Sequence, residues 1–322
     1  LDAGVAGISA PLVHFLDLPF IGGPDTINSN RIAVRSNPWP GPMAVYSSPA
    51  DDSFAFRQIV AAPATMGVLQ QDLPPSSTFS RWSFKGSVDV RLFGEALFSA
   101  TNLSVFGGAN ALAIRSSLGS WEIIQFSKAE PLGDNVWRIS QFLRGQRGTE
   151  AEALAGSAVD APIVLLNSAV IPIENSSAEN GLLLDWMVGP VGGILGDPEF
   201  TSKSYAPGAR GLLPFSPSHL KNYINPNGEL EVNWKRRDRL STDDWTLEET
   251  AMSEAVEAYQ LIISEGGAVK DVRTVNSPAT LISAVELANI VDTTPTNIDI
   301  SVAQISALVG PGPSQIVSLS LN

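Results

Sequence analysis

Short runs of alternating polar and apolar residues recur along the chain, and they predict β-strands. Residues 87–92, 121–126 and 136–143 show the pattern most clearly. Successive side chains of a strand face opposite sides, so this alternation is typical of a strand with one buried face. The segment 130–135 is rich in turn-forming residues. We therefore predict an antiparallel hairpin from the last two runs.

Apolar stretches near the start of the chain predict further strands. They cover residues 12–16, 32–34 and 43–46, and a later stretch covers 161–166. Between the second and third, the segment Asn37-Pro38-Trp39-Pro40-Gly41-Pro42 must turn, because proline fixes its own φ and restricts the residue before it.

One short helix is predicted at residues 150–155, which are rich in Glu and Ala. Gly156 directly follows, and glycine tolerates the left-handed conformation that ends many helices.

The last part of the chain is predicted to be a β-sandwich. Alternating runs at residues 230–234, 259–263, 298–305 and 316–321 are separated by turn signals at 225–228 and 310–313. About seven short strands in roughly 110 residues are typical of an immunoglobulin-like sandwich.

Glycine and proline cluster between residues 186 and 215, which predicts a domain boundary between residues 205 and 217. We assign residues 1–208 to a β-rich region of barrel or sandwich type, with room for two subdomains. Residues 209–322 form the terminal sandwich.

Composition narrows the function. The chain has 322 residues, and its formal net charge of -13 makes nucleic-acid binding improbable, because phosphate contacts need Lys and Arg. It has no cysteine, which excludes disulfides and thiolate chemistry. No signal peptide and no membrane span are predicted. The chain begins with Leu1, which agrees with a piece of a longer protein.

Three stretches of the chain form a recognisable set. The first is Arg144-Gly145-Gln146-Arg147-Gly148-Thr149-Glu150. The second is Trp234-Lys235-Arg236-Arg237-Asp238-Arg239, followed by Asp244-Trp245 and residues 254–259. The third is Val302-Ala303-Gln304-Ile305-Ser306, with Gly310-Pro311-Gly312 behind it. In this order and spacing, they resemble the C-terminal part of the large tail-tip proteins of siphophages and alphaproteobacterial gene transfer agents, also called megatron or host-specificity proteins.

The resemblance implies a structural role at a virion tail tip, in a protein made in the bacterial host cytoplasm. It implies other tail-tip or hub proteins as partners, a homotrimer, and contact with a host glycan or receptor. The last domain resembles fibronectin type III, with Trp234 in strand B and Tyr259 opening strand C. Ile298 departs from that pattern, because it stands where strand F often has a tyrosine.

The arginine–glycine segment, residues 144–149, has two interpretations. It could be a nest for an external anion or phosphate, since glycine allows close backbone approach and arginine binds oxyanions. We favour a structural role. Gly145 and Gly148 would then build a turn between a strand and the short helix, and Thr149 would cap that helix. Arg144 and Arg147 would brace neighbouring carboxylates.

The basic segment, residues 234–239, is expected to continue a strand. Trp234 would face the core and share its side with Arg236 and Asp238. The opposite side would carry Lys235, Arg237 and Arg239, which could pair with acidic residues downstream or dock a neighbouring subunit. The downstream acidic residues are Asp243, Asp244, Glu248 and Glu249.

Enzyme chemistry has little support in the sequence. The two histidines are read as a core residue, His14, and a surface or junction residue, His219. No zinc pattern is present, and the loop carboxylates Asp51-Asp52 and Asp243-Asp244 leave only calcium open. We expect no catalytic, cofactor or metal site. A host-binding module and part of a cell-wall glycan hydrolase remain as alternatives, with any hydrolase activity expected outside this segment.

Overall fold

A computed structural model describes residues 9–21, 30–50, 53–79, 81–173, 175–240, 250, 252–291 and 296–321. The protein is mainly β, with 50% of residues in strands and 8% in helices, as the sequence predicts. The chain divides into two compact units, Leu1–Gly211 and Leu212–Asn322. The sequence analysis placed this boundary slightly earlier, between residues 208 and 209.

The described part of the first unit contains thirteen strands and two short α-helices. They are β1 (Leu12–Asp17), β2 (Asn30–Arg35), β3 (Met43–Ser48), β4 (Ala55–Val60), β5 (Met66–Leu69), β6 (Trp82–Phe93), α1 (Asn102–Phe106), β7 (Ala111–Arg115), β8 (Trp121–Gly133), β9 (Val136–Gln146), α2 (Glu150–Ala155), β10 (Pro162–Leu165), β11 (Ile171–Pro172), β12 (Leu184–Pro190) and β13 (Thr201–Tyr205). The strands and the helix that the sequence analysis named within residues 1–208 are all among them.

Six of these strands close into a barrel in the order β10-β5-β6-β9-β8-β7. Its interior is packed with apolar side chains, and each large one contributes about 1.5–3 kcal/mol through burial. The alternation along β6 supplies three of them, Val88, Val90 and Leu92. The facing strands supply Leu112, Ile114, Ile124, Phe126, Ile139 and Ile163.

The predicted hairpin is β8 and β9, and its turn is tighter than expected. The strands extend through residues 130–133, so only Asp134 and Asn135 remain between them. Both have positive φ, 50° and 59°. This is the geometry of a two-residue turn whose twist matches that of the flanking strands, which allows pairing to continue to the tip.

The remaining strands of this unit form two sheets, β1-β2-β11 and β13-β12-β3-β4. One face of β1 and β2 packs against the second sheet through residues such as Phe15, Val34 and Trp186. The other face, with Leu16 and Ala33, packs against outward-facing residues of the barrel strands. β1 is therefore covered on both faces, which explains why its sequence is apolar with little alternation.

The outer edge of β1 is closed by side chains instead of a strand. The carbonyl oxygens of Pro11, Val13 and Phe15 point to this edge. They accept hydrogen bonds from Thr201 Oγ1, from Lys203 Nζ at 2.7 Å and from Trp121 Nε1 at 3.2 Å. Edge strands expose unpaired backbone groups, and here side-chain donors satisfy three of the carbonyl oxygens.

The described part of the second unit contains seven strands and one helix. They are β14 (Ser218–Ile224), β15 (Leu230–Lys235), β16 (Tyr259–Glu265), β17 (Ala268–Val275), β18 (Ala279–Ile282), α3 (Ala284–Ile290), β19 (Thr296–Ser306) and β20 (Gly310–Leu321). Sheets β14-β15-β18 and β17-β16-β19-β20 enclose one apolar core. This division of seven strands between two sheets is that of a fibronectin type III-like sandwich.

One predicted turn in this unit is wrong. Residues 310–313 begin β20, and the turn lies at residues 307–309. β20 is an edge strand, which tolerates proline because one side of its backbone needs no partner. Ile298, which stands where strand F of a fibronectin type III domain often has a tyrosine, lies in β19 as a fully buried core residue. The turn at 225–228 is confirmed, with Gly228 at φ 78°.

Gly67 offers a direct test of the barrel. A Cβ atom at Gly67 would lie 1.9 Å from the carbonyl oxygen of Arg91 on the neighbouring strand β6. We expect Gly67→Ala to lower the free energy of unfolding by about 1–3 kcal/mol, since backbone must move to make room. Urea denaturation measures the loss. Gly107→Ala is the control, because its nearest atom would be 3.4 Å away. Equal stability of the two variants would contradict the packing described here.

Candidate functional site

The arginine–glycine segment lies where β9 runs into α2. Arg144, Gly145 and Gln146 still belong to β9, so this strand extends beyond the predicted end at residue 143. Only residues 147–149 connect it to the helix. Gly145 and Gly148 have φ of 59° and 85°, in the region that favours glycine.

A buried carboxylate is bound at this segment. Arg144 Nε lies 2.6 Å from Glu122 Oε1, and Arg144 Nη2 lies 2.9 Å from Oε2. The backbone N–H of Gly145 donates to the same Oε1 at 3.0 Å. The side chains of Arg144 and Glu122 are 5% and 0% exposed. The segment thus has the donors of an anion nest, and the anion it holds is the protein's own Glu122.

Thr149 acts differently from the predicted helix cap. It stands at the N-cap position of α2, but its side chain makes no capping hydrogen bond. Instead, its hydroxyl accepts from the N–H of Ile123 at 3.0 Å and donates to the carbonyl of Gln146 at 2.8 Å. The residue is fully buried. Thr149 therefore ties β8 to the end of β9.

Arg147 lines a small cavity of about 120 Å³ next to the segment. Phe106 and Gln146 share this cavity. Arg147 has φ of 57°, an uncommon value for a residue other than glycine.

A second buried carboxylate, Glu152 on α2, holds the end of the first unit. Arg210 Nη1 and Nη2 lie 2.5 and 2.7 Å from its two oxygens, and Ser120 Oγ donates at 2.7 Å. The sequence analysis missed this pair, because 58 residues separate Arg210 from Glu152 and no local pattern links them.

In the second unit, the basic segment leaves the strand after Lys235. Trp234 is buried and meets the ring of Tyr259 edge-to-face at 5.0 Å. Tyr259 donates its hydroxyl to Glu257 Oε1 at 2.8 Å, and burial raises the pKa of this phenol. Arg236 Nη1 reaches the same carboxylate at 3.1 Å.

The expected alternation beyond Lys235 is wrong, since these residues are not in a strand. Arg237 lies over the ring of Phe215 at 5.2 Å, whereas Arg239 is buried against Glu254 at 3.0 Å. The acidic partners proposed from the sequence, Asp243, Asp244, Glu248 and Glu249, lie outside the described residues. So does Asp51-Asp52.

The two histidines lie in different surroundings. His14 on β1 meets Trp121 edge-to-face at 5.8 Å. Its pKa falls to about 4, chiefly because of burial and further because of the positive charges of Lys203 and Arg115. His219 is exposed, with Nδ1 3.2 Å from Ser218 Oγ.

An exposed aromatic cluster on the first unit was not foreseen from the sequence. Trp82 stacks on Phe84 with ring centres 6.2 Å apart and meets Phe106 edge-to-face at 5.6 Å. Phe84 and Phe106 are 65% and 62% exposed. Large exposed apolar groups of this kind are typical of contact surfaces.

Among the residues that the structure describes, no three His, Asp or Glu side chains form a metal-ligand group. The described helices are too short or too polar to cross a membrane.

Comparison with known proteins gives one family. Residues 64–164 match the family described as Rcc01698-like, C-terminal. The match begins just before β5 and ends within β10, so it spans the barrel and the arginine–glycine segment. No curated protein matches.

Several solved structures show distant similarity. Domains d3–d4 of rat CD45 share 10% identity over 48% of this chain and 72% of that one, with a TM-score of 0.26. The FN1–FN3 domains of chicken CNTN1 share 11% over 98% and 99%, also at 0.26. The Clostridium perfringens spore cortex lytic enzyme SleM shares 10% over 62% and 38%, at 0.23. The strand order of the second unit defines its fold.

The pair between Glu122 and Arg144 can be tested by removing one charge. We expect Glu122→Gln to lower the free energy of unfolding by about 3–5 kcal/mol, because it leaves a buried guanidinium without its counterion. Denaturant unfolding measures this. Asp89→Asn is the matched control, since it breaks a similar two-bond contact to exposed Arg138. That variant should lose little, as water solvates both partners. Comparable losses in both would refute the burial argument.

The pKa of His14 predicts a pH dependence of stability. The unfolded chain, with a pKa of 6.5, binds a proton more readily than the folded protein, with about 4. The contribution of neutral His14 is therefore complete above pH 6.5. It declines as the pH falls toward 4, by about 3 kcal/mol in total. In His14→Gln this decline should disappear, whereas His219→Gln should keep it. Thermal unfolding across this pH range decides.

Proposed function

We propose that this chain is a structural component of the tail tip of a phage or a phage-like gene transfer particle. The observation that carries the proposal is the match of residues 64–164 to the Rcc01698-like C-terminal family. The match includes the arginine–glycine segment, which is one of the three stretches that resemble tail-tip proteins. The family description names a C-terminal region, in agreement with that resemblance.

The geometry of the first unit suits a rigid building block. Its barrel is filled with side chains, and Arg144 forms an ion pair with the buried carboxylate of Glu122. Buried ion pairs of this kind are weak as net stabilisers, but they fix one arrangement of the chain when every donor is satisfied. The arginine–glycine segment therefore supports a structural role better than an exchangeable phosphate site.

As partners we propose the other tail-tip and hub proteins of the particle, with three copies of the chain, and a glycan or receptor on the host surface. The exposed cluster of Trp82, Phe84 and Phe106 is suited to such contacts, because aromatic side chains dominate the energy of many interfaces. We assign no catalytic role to this segment. A hydrolase of cell-wall glycans, if joined to this protein, would lie elsewhere.

Electron microscopy of purified particles tests the location. An antibody against residues 212–322 should label the distal tip, and the mass of the isolated tip should fit three copies. Antibody absorbed with the purified protein is the control. If the particles carry no label, or if the label lies along the tube or on the head, the proposal is wrong and a soluble binding module is favoured.

A further inference from the structure

Three basic side chains from three separate strands lie near one another, two of them against the indole of Trp121. The guanidinium of Arg115 on β7 lies over the ring, 5.4 Å from its centre. The imidazole of His14 on β1 approaches the ring edge. Lys203 on β13 donates from Nζ to the carbonyl of Val13, the residue next to His14.

These cations have no acidic partner in the described part of the chain. Neither Arg115, Lys203 nor His14 forms an ion pair there, although the chain as a whole carries 33 acidic residues against 20 Lys and Arg. Many other arginines of the described chain do form ion pairs with carboxylates, namely Arg57, Arg138, Arg144, Arg210, Arg236, Arg239 and Arg273.

Besides burial, the cations of the cluster lower the pKa values of Lys203 and His14. Burial chiefly lowers the pKa of Lys203, and Arg115 lowers it further. The positive charges of Lys203 and Arg115 also lower the pKa of His14. Two other charged groups belong to the strands around it. The carboxylate of Asp17 accepts the backbone N–H of Arg210 at 3.2 Å. Arg35 on β2 donates to the carbonyl of Ala64 at 3.3 Å.

The cluster can be reached from solvent and has donors to offer. Arg115 and Lys203 are exposed, and His14 is half-buried. A guanidinium carries five N–H donors, an ammonium three and a neutral imidazole one. Lys203 spends one of its three on Val13. The rigid fork of Arg115 and the point charge of Lys203 are the two donor types that proteins use for oxyanions.

We propose that Arg115, Lys203 and His14 form a binding site for an oxyanion, a carboxylate or a phosphate group, on the first unit. The bound anion would supply the negative charge that these three side chains lack among the described residues. The site is independent of the tail-tip role, because binding is tested on the isolated protein.

The chain has only two histidines, so NMR can follow His14 with His219 as an internal reference. Inorganic phosphate and acetate are titrated separately against chloride at equal ionic strength. An anion binds the cluster more tightly when His14 is protonated than when it is neutral, so it must raise the pKa of His14. We expect a rise of about one unit, which corresponds to about tenfold tighter binding to the protonated form. The indole N–H signal of Trp121 provides a second readout at neutral pH.

The variants separate this site from general screening by salt. Arg115→Gln should weaken binding about tenfold, whereas Arg115→Lys, which keeps the charge, should retain part of it. Arg81→Gln removes an exposed cation just before β6 and should change nothing. A response to phosphate alone identifies phosphate groups as the ligand, and a response to acetate as well extends it to carboxylates. The proposal fails if neither anion gives a saturable shift, or if Arg115→Gln responds like the unaltered protein.

Discussion

The carboxylate of Glu122 is the point on which the first unit depends. It is fully buried and receives two N–H groups of Arg144 and the backbone N–H of Gly145. A charge in such a place is tolerable only when its hydrogen bonds are complete. This requirement fixes the path of the chain as it leaves β9, and α2 and its own buried carboxylate, Glu152, follow from that path. The barrel is closed by apolar packing, but the exit from it is set by polar contacts.

Local pattern identified many of the strands, but it did not identify β4, β12, β13 or β17. Alternation at residues 87–92 and 121–126 identified barrel strands, because one face of each is buried and side-chain period is a local property. The same rule failed at residues 236–239, where cations pair with Glu257 and Glu254 outside any strand. Charged residues alternate by chance as easily as by burial, so the pattern carries less information there.

The site residues show a similar division. That Arg144 needed a carboxylate followed from its type, but Glu122 as the partner did not, since strand pairing in the barrel brings the two together from 22 residues apart. Arg115, Lys203 and His14 come from three strands of different sheets, and nothing in the sequence near any one of them points to the others. Thr149 was placed correctly at the start of α2, yet its hydroxyl turned to β8, a choice that only the tertiary fold offers.

The closed edge of β1 has a consequence for crowding. An open strand edge can recruit the same edge of a neighbouring chain when the protein is concentrated. Thr201, Lys203 and Trp121 occupy the carbonyl groups through which such recruitment would begin. Folding of β13 and β8 around β1 therefore also protects the newly made chain from its own copies. The three side chains that cover this edge thus come from strands of other sheets, β13 and β8.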